Sequence, residues 1–422
     1  MRSIFLSLVY FAILFLGTQA PLVFVLGYVW VDIFVPQVLA YSILPSIPVS
    51  MVMGVCVVGS LFFMPRDQFI KLRAITLLTF VLAVWMTATL LWAEVPYEAH
   101  RKWDWAVKSV AFSCLIPFFL RQRVDLEAFL WTIVISGIAH CLPFGVKVLI
   151  SGGGYGKPLG LVQVNHGYGE GSTLAMFAIS LIPLCLYLYR WQTLIDNKKL
   201  ARVMLSVFMV MAFLTSLGTY ARTGLISMGV LGVLLILNSK NVFRNFVFVA
   251  LAGVLALIIS SDQWMTRMST IGDGTEGSAM GRVAVWLWTL EYISTNPWGG
   301  SFESYMINET SLVLADGSTL AVDSKAFHSI YFEILGETGI PGLLLFLTIT
   351  FLTFRSYVAF ARPQGKESDG WRGDLGMRLK HTLLIYLAGG AFIGIGFQAY
   401  FYYLAALGVA LINLRLRPDA ET

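Results

Sequence analysis

The sequence predicts an all-α polytopic membrane protein, one transmembrane domain over residues 1–422 with about twelve spanning helices and one large outer loop. Three observations carry that prediction. Apolar residues make up 57% of the 422 and charged residues 13%, and the mean hydropathy is +0.76, which leaves too little charge to coat a soluble domain of this size. The apolar runs are long and continuous, without the period-two alternation of a membrane barrel, so the spanning elements are helices that satisfy their own backbone. A single long break in hydrophobicity, residues 261–333, separates the bulk of the chain from three further apolar segments.

Taken in order, residues 3–64 hold three apolar runs interrupted by Pro21, Pro36, Pro45 and Pro48, which fit either two spans or a broken helical hairpin. The start imitates a signal peptide, with Arg2, an apolar run and Gly17-Thr18-Gln19-Ala20, but Pro21 directly after the would-be cleavage site predicts an uncleaved first span. Apolar segments of spanning length follow near 72–92, 105–120, 126–150, 172–190, 202–218, 222–238, 243–260, 334–358, 382–395 and 397–414. Cys56, Cys114, Cys141 and Cys185 all fall within predicted spans and read as small buried hydrophobes, with neither disulfide nor metal spacing.

Charge sets the expected orientation. With Arg2 cytoplasmic and residues 3–64 crossing twice, the cytoplasmic side holds 20 of the 29 Lys and Arg residues and the outer side nine. Both termini are therefore expected in the cytoplasm. The basic 355–380 connection reads as a solvated orientation signal. The nine outer cations are Arg101, Lys102, Lys108, Lys147, Lys157, Arg222, Arg267, Arg282 and Lys325, accompanied by His100, His166 and His328.

Arg222 stands out, because Leu217-Gly218-Thr219-Tyr220-Ala221-Arg222-Thr223-Gly224 leaves almost no loop between two spans. A charge at that depth is costly unless it serves something, and a guanidinium opening a helix is a phosphate site. Gly281-Arg282 is expected to open an amphipathic helix with Val283, Trp286, Leu287, Leu290 and Ile293 on one stripe, ended at Asn296-Pro297. His328 precedes a span whose first turns carry Glu333 and Glu337. The positive helix end disfavours imidazolium, which leaves a neutral His able to take a proton from a hydroxyl. The Gly-rich stretch from Gly152 to Pro158, with Lys157, Gln163 and His166, is a candidate entrance to a substrate site, as is Tyr220. Asp273-Gly274-Thr275-Glu276-Gly277 lacks the full ligand pattern of a calcium loop, and no phosphate loop of an ATPase is present. No metal, cofactor or nucleic acid is expected.

At these residues the chain resembles the O-antigen ligase family of bacterial membrane glycosyltransferases. Tyr220-Ala221-Arg222-Thr223-Gly224, Gly281-Arg282 with Trp286 and Asn296-Pro297-Trp298-Gly299-Gly300, and His328-Ser329 leading into Glu337-Thr338-Gly339-Ile340-Pro341-Gly342 carry the likeness in that order. Val31-Asp32-Ile33-Phe34-Val35-Pro36-Gln37 is similar to the exosortase-associated O-glycosylation ligases. The resemblance implies a GT-C-like architecture in the bacterial inner membrane and a site facing the periplasm. It implies metal-independent transfer of a polysaccharide from undecaprenyl diphosphate to a sugar hydroxyl of lipid A–core in lipopolysaccharide biosynthesis. By position, Arg222 and Arg282 would bind the donor diphosphate and His328 would act as base or position the acceptor. The family often has His-Asn where this chain has His328-Ser329. An O-antigen polymerase and a protein O-oligosaccharyltransferase would use the same donor. A transporter, the alternative of another class, usually shows internal repeats and charges at the bundle centre rather than cations gathered at one face.

Overall fold

The computed structural model describes residues 2–65, 71–151, 168–238, 241–259, 277–362 and 370–415. The apolar runs fold as helices α1 (Arg2–Gln19), α2 (Leu22–Phe34), α3 (Val49–Phe62), α4 (Ala74–Ala88), α5 (Pro96–Ser113), α6 (Arg123–Ser151), α7 (Gly171–Trp191), α8 (Lys198–Gly218), α9 (Arg222–Leu237) and α10 (Val242–Ile259). The outer segment supplies α11 (Gly277–Thr295) and two strands, β1 (Glu309–Val313) and β2 (Thr319–Asp323). Helices α12 (Ile330–Phe360), α13 (Gly370–Gly390) and α14 (Ala399–Arg415) complete the chain. Among the described residues, six helices are long and apolar enough to cross a membrane, and α2, α3, α9 and α14 are shorter apolar helices.

Helices α7 and α14 form the centre, buried on nearly every side. Their neighbourhood is rich in tyrosine, and three of the buried phenols find a carbonyl: Tyr357 Oη donates to Leu404 O at 2.6 Å, Tyr386 Oη to Ile395 O at 3.0 Å and Tyr402 Oη to Gly396 O at 2.9 Å. The span expected at 382–395 is displaced to 370–390. Its first half contains Arg372, Asp374, Arg378 and His381, all buried. Asp374 pairs there with Arg378 at 3.2 Å and Arg190 at 3.4 Å, a pairing that average hydropathy does not register.

Each helix runs between two ends. One end gathers the basic connections: Arg121 Nη2 lies 3.1 Å from Met64 Sδ, Arg123 Nη2 donates to Trp191 O, Arg73 Nε to Asn413 Oδ1 and Arg415 Nη1 to Ala359 O. The other end joins Trp92, whose indole donates to Gly299 O, with Glu94 and the loop after α11. Residues 3–64 form three longer apolar helices, α1, α2 and α3, with a four-residue helix at Pro36–Leu39 between the last two. The α1–α2 turn shares a cavity of ≈670 Å³ with Met64 and Arg121 at the basic end. Tyr41 N donates to Ser3 Oγ at the opposite end, where Ile33 O accepts from His140, about 25 Å along α6 from Arg123. Arg2 and Arg415 thus stand at opposite ends of the bundle.

The outer segment is not purely helical. β1 and β2 pair antiparallel from Glu309↔Asp323 to Val313↔Thr319, closed by a turn in which Asp316 Oδ1 accepts from Ser318 N and Gly317 takes φ +82°. Alternate residues Thr310, Leu312, Leu320 and Val322 face α11. Ala284, Val285, Val322 and Phe327 form a small second core with Trp288, Tyr305 and Phe332 around it. Strands five residues long fall below what a reading of long apolar runs detects.

The Gly339-Ile340-Pro341 sequence breaks α12. Gly339 adopts φ +68°, and Pro341 has no N–H to give to Glu337 O. The freed groups find partners in Asn296-Pro297-Trp298-Gly299-Gly300: Ile340 N donates to Pro297 O at 2.9 Å, and Gly300 N donates to Gly336 O at 2.9 Å. Trp85 Nε1 donates to Thr338 O at 2.8 Å. Gly299, at φ +77°, and Gly339 face one another, and a β-carbon on either would overlap the other's main chain.

Candidate active site

Arg222, Arg282 and His328 all lie at the end opposite the basic connections, on three different elements. Arg222 is the first residue of α9, after Ala221 in extended conformation and Tyr220 at φ +54°. Thr219 Oγ1 donates to Ser216 O at 2.8 Å and accepts from Ala221 N at 3.3 Å, which folds the chain back within three residues. Gly224, one turn in, packs on Ser216 and on Ala175 of α7, so the starts of α7 and α9 lie side by side.

Arg282 does not open its helix, contrary to expectation. The small residues from Gly277 to Gly281 extend α11 by more than a turn, so the guanidinium sits on the helix flank. That flank faces the segment after β2. Asn308, fully buried, holds this segment through both ends of its amide, donating from Nδ2 to Lys325 O at 2.7 Å and accepting at Oδ1 from Lys325 N at 3.1 Å. The Lys325 ammonium consequently rests against Gly281, where a side chain would displace it. Trp286 Nε1 donates to Phe327 O at 2.8 Å, and its ring stacks on Phe332 at 5.1 Å and 4°. These contacts fix both sides of His328, which takes φ +46° two residues before α12 begins.

The electrostatics follow from this convergence. Burial comes first, then the Arg282 guanidinium, with a smaller contribution from Lys325, and together they hold the His328 imidazole below its ordinary 6.5. The Glu170 carboxylate, from the residue before α7, pulls the other way. Burial and Arg282 also lower Lys325. A neutral histidine thus stands beside two cations that press on each other, an arrangement that favours an anion at the cations and leaves the imidazole free to accept a proton. The stripe expected along α11 divides: Ile293 is buried, while Leu287 and Leu290 are each 53% exposed.

Lys325 and Glu170 were not singled out for the site, and neither carries a motif; only the fold brings them to His328. Tyr220 is buried at the turn before Arg222. Lys157, Gln163 and His166 lie outside the described residues. Among the described residues, no group of three or more His, Cys, Asp or Glu side chains is arranged to hold a metal ion.

A second charged cluster lies below His328, and its members are far apart in sequence. Lys102 Nζ is 2.7 Å from Glu333 Oε1, 2.8 Å from Glu337 Oε1 and 3.5 Å from Glu303 Oε1. Glu303 N donates to Glu337 Oε1 at 3.0 Å, and Gly396 N donates to Glu333 Oε2 at 2.6 Å. One lysine of α5 thereby fastens the head of α12 to the loop before the hairpin and to the α13–α14 connection.

Comparison with known families adds two findings. Residues 207–347 match the O-antigen ligase family, and residues 1–193 match a family of unknown function, DUF5935. No curated protein matches the chain.

Proposed function

Over residues 207–347 this chain belongs to the O-antigen ligase family, and from that premise we propose that it transfers a polysaccharide from undecaprenyl diphosphate to a sugar hydroxyl of lipid A–core at the periplasmic face of the bacterial inner membrane. A ligase- or polymerase-type role in glycan assembly comes with the family, and so does a membrane setting; donor, acceptor and residue roles are our reading. The convergence of Arg282 and Lys325 on a half-buried His328, which burial and then these cations hold below its ordinary 6.5, supports it most.

In this reading the acceptor hydroxyl attacks the anomeric carbon while the bond from that carbon to the diphosphate oxygen breaks. His328 takes the hydroxyl proton. Arg222 and Arg282 neutralise the charge that collects on the departing undecaprenyl diphosphate, with Lys325 as a third cation. Preorganised donors of this kind contribute about 10²–10³ each in rate.

Purified protein in vesicles should transfer glycan in the presence of a chelator and without nucleotide. Arg222→Ala, Arg282→Ala and His328→Ala should each lower transfer at least about 10²-fold while the protein remains folded. Full activity in any one of them removes that residue from the site. Deleting the gene should leave long lipid-linked polymer and none on lipid A; accumulation of single repeat units would make the protein a polymerase instead.

A further inference from the structure

The cavity of ≈670 Å³ at the basic end is separate from the site around His328. Its two walls are α1 and α3, which run in the same direction over α2. Toward the opposite end they touch, with Tyr10 Oη donating to Val49 O at 3.2 Å. Two turns further along each helix the wall residues become small, Gly17 and Thr18 on α1 and Cys56, Gly59 and Ser60 on α3, and a cleft opens between them. A β-carbon on Gly59 would meet no atom within 4 Å. No close packing therefore requires this glycine, although inside a helix it costs about 0.5–1 kcal/mol against alanine. Phe24 and Phe119 line the cleft from beneath and are buried, while Phe62 and Phe63 stand exposed at the end of α3.

Charge enters this apolar cleft from one element alone, the chain that leads into α6. Arg121 Nε donates to Phe118 O at 2.8 Å and its Nη2 lies 3.1 Å from Met64 Sδ, which fixes the guanidinium beside the end of α3. Asp125 Oδ2 accepts from the main-chain N–H groups of Arg121 and Gln122, both at 2.9 Å, and Oδ1 takes no hydrogen bond from the described residues. The lining thus holds one cation and one carboxylate, at one end of a cleft that is otherwise mostly apolar. We propose that it seats a phospholipid with a zwitterionic, primary-amine headgroup, the chemistry of phosphatidylethanolamine. One acyl chain lies between α1 and α3, with the phosphate toward Arg121 and the ammonium toward Asp125.

Size and polarity agree on an amphiphile. A volume of ≈670 Å³ falls within the roughly 300–1,000 Å³ of sites that enclose sizeable organic ligands, and the apolar walls with a charged end match a chain with a head. Charge selects among lipids. An anionic head would satisfy Arg121 and leave Asp125 facing a like charge, and a quaternary ammonium has no N–H to donate to Oδ1. Every lining residue lies within 1–193, the segment matched by a family of unknown function. The cleft opens at the end of the bundle away from Arg222 and His328, so its lipid is not a glycan carrier at the transfer site. The proposal is independent of the glycosyltransferase reading.

The native chain carries its own reporter. Of the four free cysteines, Cys114, Cys141 and Cys185 are buried, whereas Cys56 is half-buried in the wall of the cleft. Purified full-length protein in detergent is alkylated with N-ethylmaleimide, and the rate at Cys56 is read by peptide mass spectrometry. Phosphatidylethanolamine at ten times its Kd should slow that rate about tenfold, the occupancy factor of a single site. Phosphatidylglycerol and phosphatidylcholine at the same mole fraction should protect much less, and soluble phosphoethanolamine, which lacks the chains, should not protect. Asp125→Asn keeps an oxygen that can cap the helix start and should erase the preference for the primary amine. Gly59→Leu, which fills the cleft, should abolish the lipid effect. Equal protection by the three phospholipids, protection by phosphoethanolamine, or no protection by any lipid overturns the proposal. Protection that grows with protein concentration in the absence of lipid assigns the cleft to a second copy of the chain and overturns it as well. If one variant does not fold, the other and the native lipid series still decide.

Discussion

Replacing Lys102 by methionine is expected to cost about 3–5 kcal/mol, the usual loss when one partner of a buried ion pair is removed. The structure sets the scale. Lys102 has a side-chain exposure of 10%, Glu333 of 8% and Glu337 of 0%, at separations of 2.7 and 2.8 Å, so solvent screens little. The variant would leave Glu303, Glu333 and Glu337 facing each other with no cation. For a long chain this corresponds to a fall of about 5–10 °C in Tm, read by thermal unfolding in detergent. Activity should fall with it, because His328 sits five residues before Glu333. Glu337→Gln supplies the opposite sign. Its Oε1 keeps the bonds from Lys102 and Glu303 N, while Oε2 has no partner among the described residues, and an excess negative charge disappears. That variant should shift stability by no more than about 1 kcal/mol, and Lys102→Met combined with Glu333→Gln and Glu337→Gln should recover at least half of the loss. A native Tm for Lys102→Met, or a larger loss for Glu337→Gln than for Lys102→Met, would refute the reasoning.

Transfer should lose activity only as pH falls below 6.5, because the folded state depresses His328 and the neutral imidazole is the form present above its pKa; Lys325→Met, by removing one like charge, should move this acid limb upward, and a limb at or above 6.5 in the native chain contradicts the assignment. Single cysteines at Tyr41 and Ser318, both exposed, should label from the same side of intact cells and one at Asp196 from the other; labelling of Tyr41 together with Asp196 would contradict this arrangement of residues 3–64. Gly339→Ala should cost about 1–3 kcal/mol from its left-handed backbone alone, with more from overlap with Trp298, and a native melting temperature would show that the break in α12 relaxes.

Hydropathy and charge bias made most of the membrane helices legible, because long apolar runs need no tertiary information. They failed where burial was achieved by pairing rather than by apolarity, as in α13, whose Asp374 and Arg378 satisfy each other. They failed as well where prolines broke a run, so that Pro21 and Pro36 obscured three antiparallel helices. Arg222 was placed correctly because a three-residue connection leaves it nowhere else to go. Arg282 was misplaced by one turn because Gly277–Met280 can be either loop or helix and the packing on β2 decides. Glu170 and the partners of Lys102 were illegible for a different reason: their meaning lies in pairings across 158 residues, from Glu170 to His328, and across 231 and 235, from Lys102 to its glutamates.

The break at Gly339 also changes how α12 should be measured. From Ile340 to Phe360 a helix rises about 31 Å at 1.5 Å per residue, which by itself matches a hydrocarbon layer of about 30 Å. The turns carrying Glu333 and Glu337 are therefore surplus to the crossing. Two acids that would be penalised inside a span belong instead to a short post standing above it, held by Lys102 and capped by His328. Freed from any requirement to be oily, that post can be polar, and its length sets how far His328 stands from the crossing part of α12.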